Sequence, residues 1–150
     1  MQTIDAINYL TAALPVSGAG VDQQGNPVFD LEGSFPFTLT EISDSCVRLS
    51  AVLDDAGNIG ADQQKRLLET GYLGLETGSC AVALDPMGTG ALALTDMVHV
   101  TGMDADGLEA RVVDFILYAE YLKTELIPQS LAKQVDDDLS VSSEDPIIRA

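Results

Sequence analysis

Residues 104–126 read DADGLEARVVDFILYAEYLKTEL, and this stretch decides more about the fold than any other. Leu108, Val112, Phe115, Ala119, Leu122 and Leu126 recur at intervals of four, three, four, three and four. That is the repeat of a helix with one apolar face, sustained for nearly six turns. Asp104 stands where a helix N-cap belongs, and Pro128 ends the pattern.

Upstream of this helix, Cys80–Leu84 and Ala91–Val100 read as strands joined through Asp85-Pro86-Met87-Gly88-Thr89-Gly90, whose Pro and Gly residues suit a tight reversal. Ala61–Tyr72 reads as a short helix with Leu67, Leu68 and Tyr72 toward one side. Before it, Val47, Leu49, Ala51 and Leu53 alternate with Arg48 and Ser50, so Cys46–Leu53 is a strand closed by the turn Asp54–Asn58. Val28–Leu31 and Phe35–Ile42, separated by Glu32-Gly33-Ser34, form a hairpin, with Phe35, Phe37 and Leu39 on one face and Pro36, Thr38 and Thr40 on the other. At the N-terminus, Ile4, Ile7, Leu10 and Leu14 paint one face of a helix that Pro15 stops. The expected fold class is α+β: a twisted antiparallel sheet of about five strands with three helices on one face, in the order α-β-β-β-α-β-β-α.

The chain has 150 residues, 46% of them hydrophobic, which suits one domain with a real core. Its net charge is −17, and the five cations before residue 127 (Arg48, Lys65, Arg66, Arg111 and Lys123) are scattered. No basic stripe is available for phosphates, so nucleic acid and an anionic membrane are excluded as partners. The N-terminus lacks a signal peptide's basic region and apolar run, and no segment is long enough to span a membrane, so a soluble protein that stays in the cytoplasm is expected. Residues 127–150 gather Gln, Ser and acidic groups, Asp136-Asp137-Asp138 among them, and read as an acidic flexible tail. Leu131, Val135, Leu139 and Val141 leave room in it for a short helix or a docking segment.

No residue constellation points to catalysis. His99 is the sole histidine and lies in a strand with no nucleophile near it in sequence, so a structural or surface role is expected. Asp104-Ala105-Asp106-Gly107 has its glycine too early for a calcium loop, and helix capping accounts for it. Cys46 and Cys80 match no zinc or redox spacing and read as buried free thiols in a reducing compartment. Gly18-Ala19-Gly20 and Gly88-Thr89-Gly90 are turn glycines, too short for a nucleotide fingerprint. Neither a metal nor a cofactor is expected, and the protein reads as a binding protein, with no catalytic residues.

Three stretches then carry a resemblance: Leu67-Leu68-Glu69-Thr70-Gly71, Gly78-Ser79-Cys80-Ala81-Val82-Ala83-Leu84-Asp85, and Ala91-Leu92-Ala93-Leu94 leading into the helix with Phe115, Ala119 and Leu122. The sequence from about residue 2 to 126 resembles the class I type III secretion chaperones, of the Tir-chaperone type, in the order and spacing of hydrophobic positions. The resemblance implies a chaperone-like domain over residues 1–126 in a bacterial cytoplasm. It also implies a homodimer that holds the N-terminal segment of a secreted effector in extended form, soluble and ready for export. The export ATPase is a further partner on this reading. Strand addition and side-chain pockets would supply affinity and selectivity.

On that reading Ile7, Leu10, Leu14, Val28, Phe29, Leu31, Phe35 and Phe37 form the partner surface, and Leu67, Leu68, Tyr72, Leu73, Ala81 and Ala83 the dimer interface. A helix stripe or strand face more often belongs to the core than to a docking site, so some of these are expected inside the protomer. Leu10→Asp and Phe37→Asp should abolish partner binding and leave a folded dimer if those two line the surface. The alternative is a regulatory or scaffold module of the same fold, binding a secretion component or a transcription regulator.

Overall fold

The computed structural model describes residues 1–14, 20–30, 36–72, 78–84 and 89–126. Helix α1 spans Thr3–Ala13, strands β1, β2 and β3 span Val28–Asp30, Pro36–Ser43 and Cys46–Asp55, and helix α2 spans Ala61–Thr70. Strands β4 (Ala81–Leu84) and β5 (Ala91–His99) follow, then helix α3 (Ala105–Tyr121), which widens into a π-helical turn at Leu122–Leu126. The element order is the one expected from the sequence.

The strands form one antiparallel sheet in the order β1-β2-β3-β5-β4. β5 pairs with β3 from Cys46↔His99 to Asp55↔Ala91, so β4, hairpin partner of β5, lies at the sheet edge. Register shifts at Glu41/Ser43 and Val52/Asp54 mark irregularities on the central strands, where a bulge would locally strengthen the twist.

The face toward the helices carries Phe37 and Leu39 from β2, Val47, Leu49, Ala51 and Leu53 from β3, and Leu92, Leu94 and Val98 from β5, all buried. On the opposite face Thr38, Thr40, Arg48, Ser50 and Thr95 are half-buried, as expected for an antiparallel sheet with one wet side.

Leu108, Val112, Phe115, Ala119 and Leu122 of the C-terminal helix are each at most 1% exposed. Covering a side chain of leucine or phenylalanine size is worth about 1.5–3 kcal/mol, so this stripe holds α3 to the sheet. Phe115 meets Phe37 edge-on with centroids 6.0 Å apart, and Phe37 stacks on Phe29 at 5.2 Å. Asp104 caps α3 by accepting the Gly107 N–H at 2.9 Å, the capping role expected of it.

Helix α1 departs from its expected stripe. Thr3 is buried, its Oγ1 donating to the Ser43 carbonyl at 2.6 Å and its N–H to the Asp44 carbonyl at 3.1 Å. These bonds tie the helix start to the β2–β3 turn and set its rotation: Ala6 and Leu10 face the core, Ile7 and Leu14 sit at its margin, and Ile4 is exposed.

Candidate partner-binding surfaces

Among the described residues, two apolar surfaces lie near the positions expected to bind a partner or a second copy. The first is a groove between α1 and α3. Its floor is Leu10 and Val112, and its walls are Leu14 and Ala13 on one side and Val113 and Ile116 on the other. Val113 is 52% exposed although it sits one residue from the buried stripe, because α3 turns its next face outward there. Glu109 marks the groove's rim and accepts a hydrogen bond from the Tyr9 hydroxyl, clamping α1 to α3. That bond, with the carboxylate's charge, holds the Tyr9 phenol above its ordinary ionisation range.

The second surface lies between α2 and β4. Leu68 is 73% exposed and Tyr72 67%, while Leu67, their neighbour, is buried. Sequence periodicity had put all three on one side; α2 instead divides them, Leu67 and Thr70 facing in and Leu68 and Tyr72 out. Thr70 is accommodated inside because its hydroxyl donates to the Leu67 carbonyl at 2.7 Å. Val82 and Leu84 stand on the helix side of β4, opposite Leu94 and Leu92, and form the far wall of a shallow groove with Leu67 and Leu68. β4 pairs only with β5 among the described residues, so its outer backbone edge is open there. Gly78, just before β4, has φ +59, and a Cβ there would come within 3.0 Å of the Tyr118 hydroxyl, so glycine permits the close passage to α3.

The structure divides the residues expected to bind a partner. Leu10, Phe29 and Phe37 are at most 1% exposed and belong to the protomer's core. Leu10→Asp and Phe37→Asp would therefore put a charge into the core, so they cannot serve as surface tests. Ile7, Leu14 and Val28 are half-buried, and Leu31 and Phe35 lie outside the described residues. Of the residues expected at the dimer interface, Leu68 and Tyr72 are exposed, Leu67 is beneath them, Ala81 and Ala83 are exposed on β4 opposite Thr95 and Ala93, on the sheet face away from the helices, and Leu73 is outside the described residues. Val113, Ile116, Leu117 and Leu84 were not singled out from the sequence. The signal for the α3 residues was the second apolar row beside the main stripe, at positions 113, 117 and 121.

One polar pair behind these surfaces also escaped the sequence reading. Asp96 sits on β5 at an inward position between Leu94 and Val98, and is 2% exposed. Arg111 of α3 meets it with two contacts, Nε to Oδ2 at 3.0 Å and Nη2 to Oδ1 at 3.1 Å. This fork-to-fork geometry fixes α3 along and across the strand. Cys46 and Cys80 are buried and form no disulfide, and burial together with the Asp96 carboxylate pushes the Cys80 thiol up to about 12. His99 is exposed at the end of β5. No cluster of three metal-ligating side chains exists among the described residues, and no described helix is long and apolar enough to cross a membrane.

No family model matches the sequence, and no curated protein matches it. The fold, by contrast, has close counterparts among solved structures. Over 83% of this chain and 92% of the other, it superposes on a chain of the ExsC–ExsE complex with a TM-score of 0.60 at 15% identity. A chain of the HopA1–SchA chaperone–effector complex gives 0.59 at 13% identity, covering 81% and 93%. The structure of the Yersinia pestis type III secretion chaperone SycH with a stable fragment of YscM2 gives 0.56 at 12%, covering 80% and 98%. The protein has the class I type III secretion chaperone fold. At these identities the likeness is one of fold.

Proposed function

We propose that the protein is a cytoplasmic, homodimeric secretion chaperone that binds the N-terminal segment of a type III secreted effector in extended form and keeps it export-competent. The observation that carries this reading is the pairing of that fold with two uncovered apolar surfaces of different kinds. The α1/α3 groove has Leu14, Val113 and Ile116 available to alternate side chains of an extended peptide. Glu109 at its rim and the net charge of −17 favour a segment whose apolar residues are interspersed with basic ones. Exposed Leu68 and Tyr72 of α2 and the edge strand β4, whose Ala81 and Ala83 are exposed on the face away from the helices, offer contacts for a second copy. Binding of this kind requires no catalytic step.

Light scattering on the purified protein, alone and co-expressed with the N-terminal segment of a large protein encoded beside it, tests both halves. The expected result is a mass of twice 15.8 kDa that gains one segment. Val113→Asp should keep the dimer and lose the segment. Wild-type binding by that variant moves the site away from the α1/α3 groove. A monomer that ignores the segment removes the proposal, and capture of a regulator or secretion component in its place favours the scaffold alternative.

A further inference from the structure

The outer face of the sheet sets an unpaired cation beside an apolar strip. Thr40, Arg48 and Met97 form one row across β2, β3 and β5, Ser50 and Thr95 lie in the next, and Val52, Ala93 and Ala83 form the row beyond. Val52 is 57% exposed and Met97 45%. None of these positions is acidic, in a chain whose net charge is −17. Among the described cations, Lys65 pairs with Glu69, Arg111 with Asp96, and Arg66 and Lys123 have partners of their own. Arg48 makes no hydrogen bond or ion pair among the described residues, and its Nε is shut away from solvent. We infer that this face seats an amphipathic α-helix of a partner protein, which brings one carboxylate to Arg48 and lays an apolar side chain on Val52.

The state of Arg48 selects the charge of the partner. A charged donor that is covered and unpaired is costly. A carboxylate that meets Nε–H and one terminal N–H side by side removes that cost as the guanidinium turns to it, in the two-bond geometry that Arg111 and Asp96 already make. Ser50 stands two residues along β3 on the same face, and its hydroxyl makes no hydrogen bond among the described residues, so it is a second donor for the same anion.

The floor selects the form of the partner. Between Arg48 and Val52 the groove is lined by Ala83, Ala91 and Ala93, small side chains that let another backbone come close. Its volume of about 240 Å³ falls below the roughly 300–1,000 Å³ of a small-molecule site, so it suits side chains of a larger partner. An extended segment laid over a sheet face finds no backbone partners there, as it does at a strand edge, whereas a helix satisfies its own. Helices also cover the sheet's other face. Arg48 and Val52 are about 13 Å apart along the strand. A helix spans that in about eight residues, so the partner carries its Glu or Asp two turns from an aliphatic residue on the same face. The α1/α3 groove, with Glu109 at its rim, selects the opposite charge, so this inference does not depend on what that groove binds.

Two fluorescent Lys- and Ala-based helical peptides test it on the full chain. One carries a Glu with a Leu two turns away on the same face, and the other has Gln for that Glu. Anisotropy titrations should show the Glu peptide binding about tenfold tighter. The chain's net charge works the other way, since the Gln peptide is the more cationic, so this preference can arise only at a local cation. Arg48→Gln should erase the preference, Arg48→Glu should reverse it, and Val52→Ser should weaken both peptides alike. In isotope-labelled protein, the Arg48 Nε–H resonance and the amides of Ser50, Val52 and Ala93 should shift on adding the Glu peptide, and those of Val113 and Ile116 should not. Equal affinities for the two peptides, binding of neither, native binding by Val52→Ser, or shifts centred on Val113 and Ile116 overturn the inference. A fall in the mass of the free protein on Arg48→Glu assigns the face to a second copy and rejects the partner helix.

Discussion

Helices α2 and α3 are both amphipathic, yet they place their apolar residues in opposite ways. α3 turns Leu108, Val112, Phe115, Ala119 and Leu122 onto the sheet and anchors itself further through Arg111 and Asp96. α2 turns Leu67 in and leaves Leu68 and Tyr72 outside, beside an open strand edge. An apolar stripe can therefore turn into the core or outward, where a partner could cover it. Periodicity alone reports that a stripe exists without saying which destination it has.

The contrast can be broken at three points. The largest effect is expected inside α3. Arg111→Ala leaves the Asp96 carboxylate buried without its partner, a loss of about 3–5 kcal/mol by the usual penalty for breaking such a pair, and chemical denaturation should show it as a lower midpoint. A change under about 1 kcal/mol would mean that α3 is held by its apolar stripe alone. In α2 the expected effect splits between adjacent residues. Leu67→Ala should cost about 2–5 kcal/mol as a buried leucine truncation. Leu68→Asp should shift the intrinsic stability of the protomer by no more than about 0.5 kcal/mol while converting the dimer to a monomer in sedimentation. A Leu68→Asp protein that remains dimeric would remove α2 from the interface and end the contrast between the helices.

Much of the fold was legible in the sequence because its signals are local. The four-three repeat of α3, the alternation in β2 and β3, and the turn residues between strands each report on a few neighbouring positions. The pairing of β5 with β3 was less accessible, since strand order depends on contacts between residues far apart in the chain. The partner surface was the least legible part. Leu10, Phe29 and Phe37 have the composition of a docking site and the burial of a core, and only the three-dimensional packing of Phe29, Phe37 and Phe115 separates the two. Asp96 did carry a signal, an acid at an inward position of an alternating strand, and Arg111 lies in α3 between Leu108 and Val112, where a partner can reach it.

The smallest effect sharpens the comparison from the side of β4. The Cys80 thiol ionises at about 12, and its causes are, in order, burial and the Asp96 carboxylate raising it and the Arg111 guanidinium lowering it. Because the folded state holds the proton more tightly than the unfolded chain, whose thiol ionises near about 8.5, this contribution is complete below that pH and is lost as pH rises toward 12. Stability should therefore decline through the alkaline window more steeply in the native chain than in Cys80→Ala, as urea midpoints taken across that window would register. At pH 8 Cys80 should resist alkylation until the protein unfolds. The same thiol also reports on α3: removing Arg111 deletes the one cation that eases its ionisation among those causes, so in folded Arg111→Ala protein Cys80 should alkylate more slowly still. Faster labelling of that variant would mean that the ion pair keeps β4 closed against the helix layer, and that α3 secures the edge strand as well as itself.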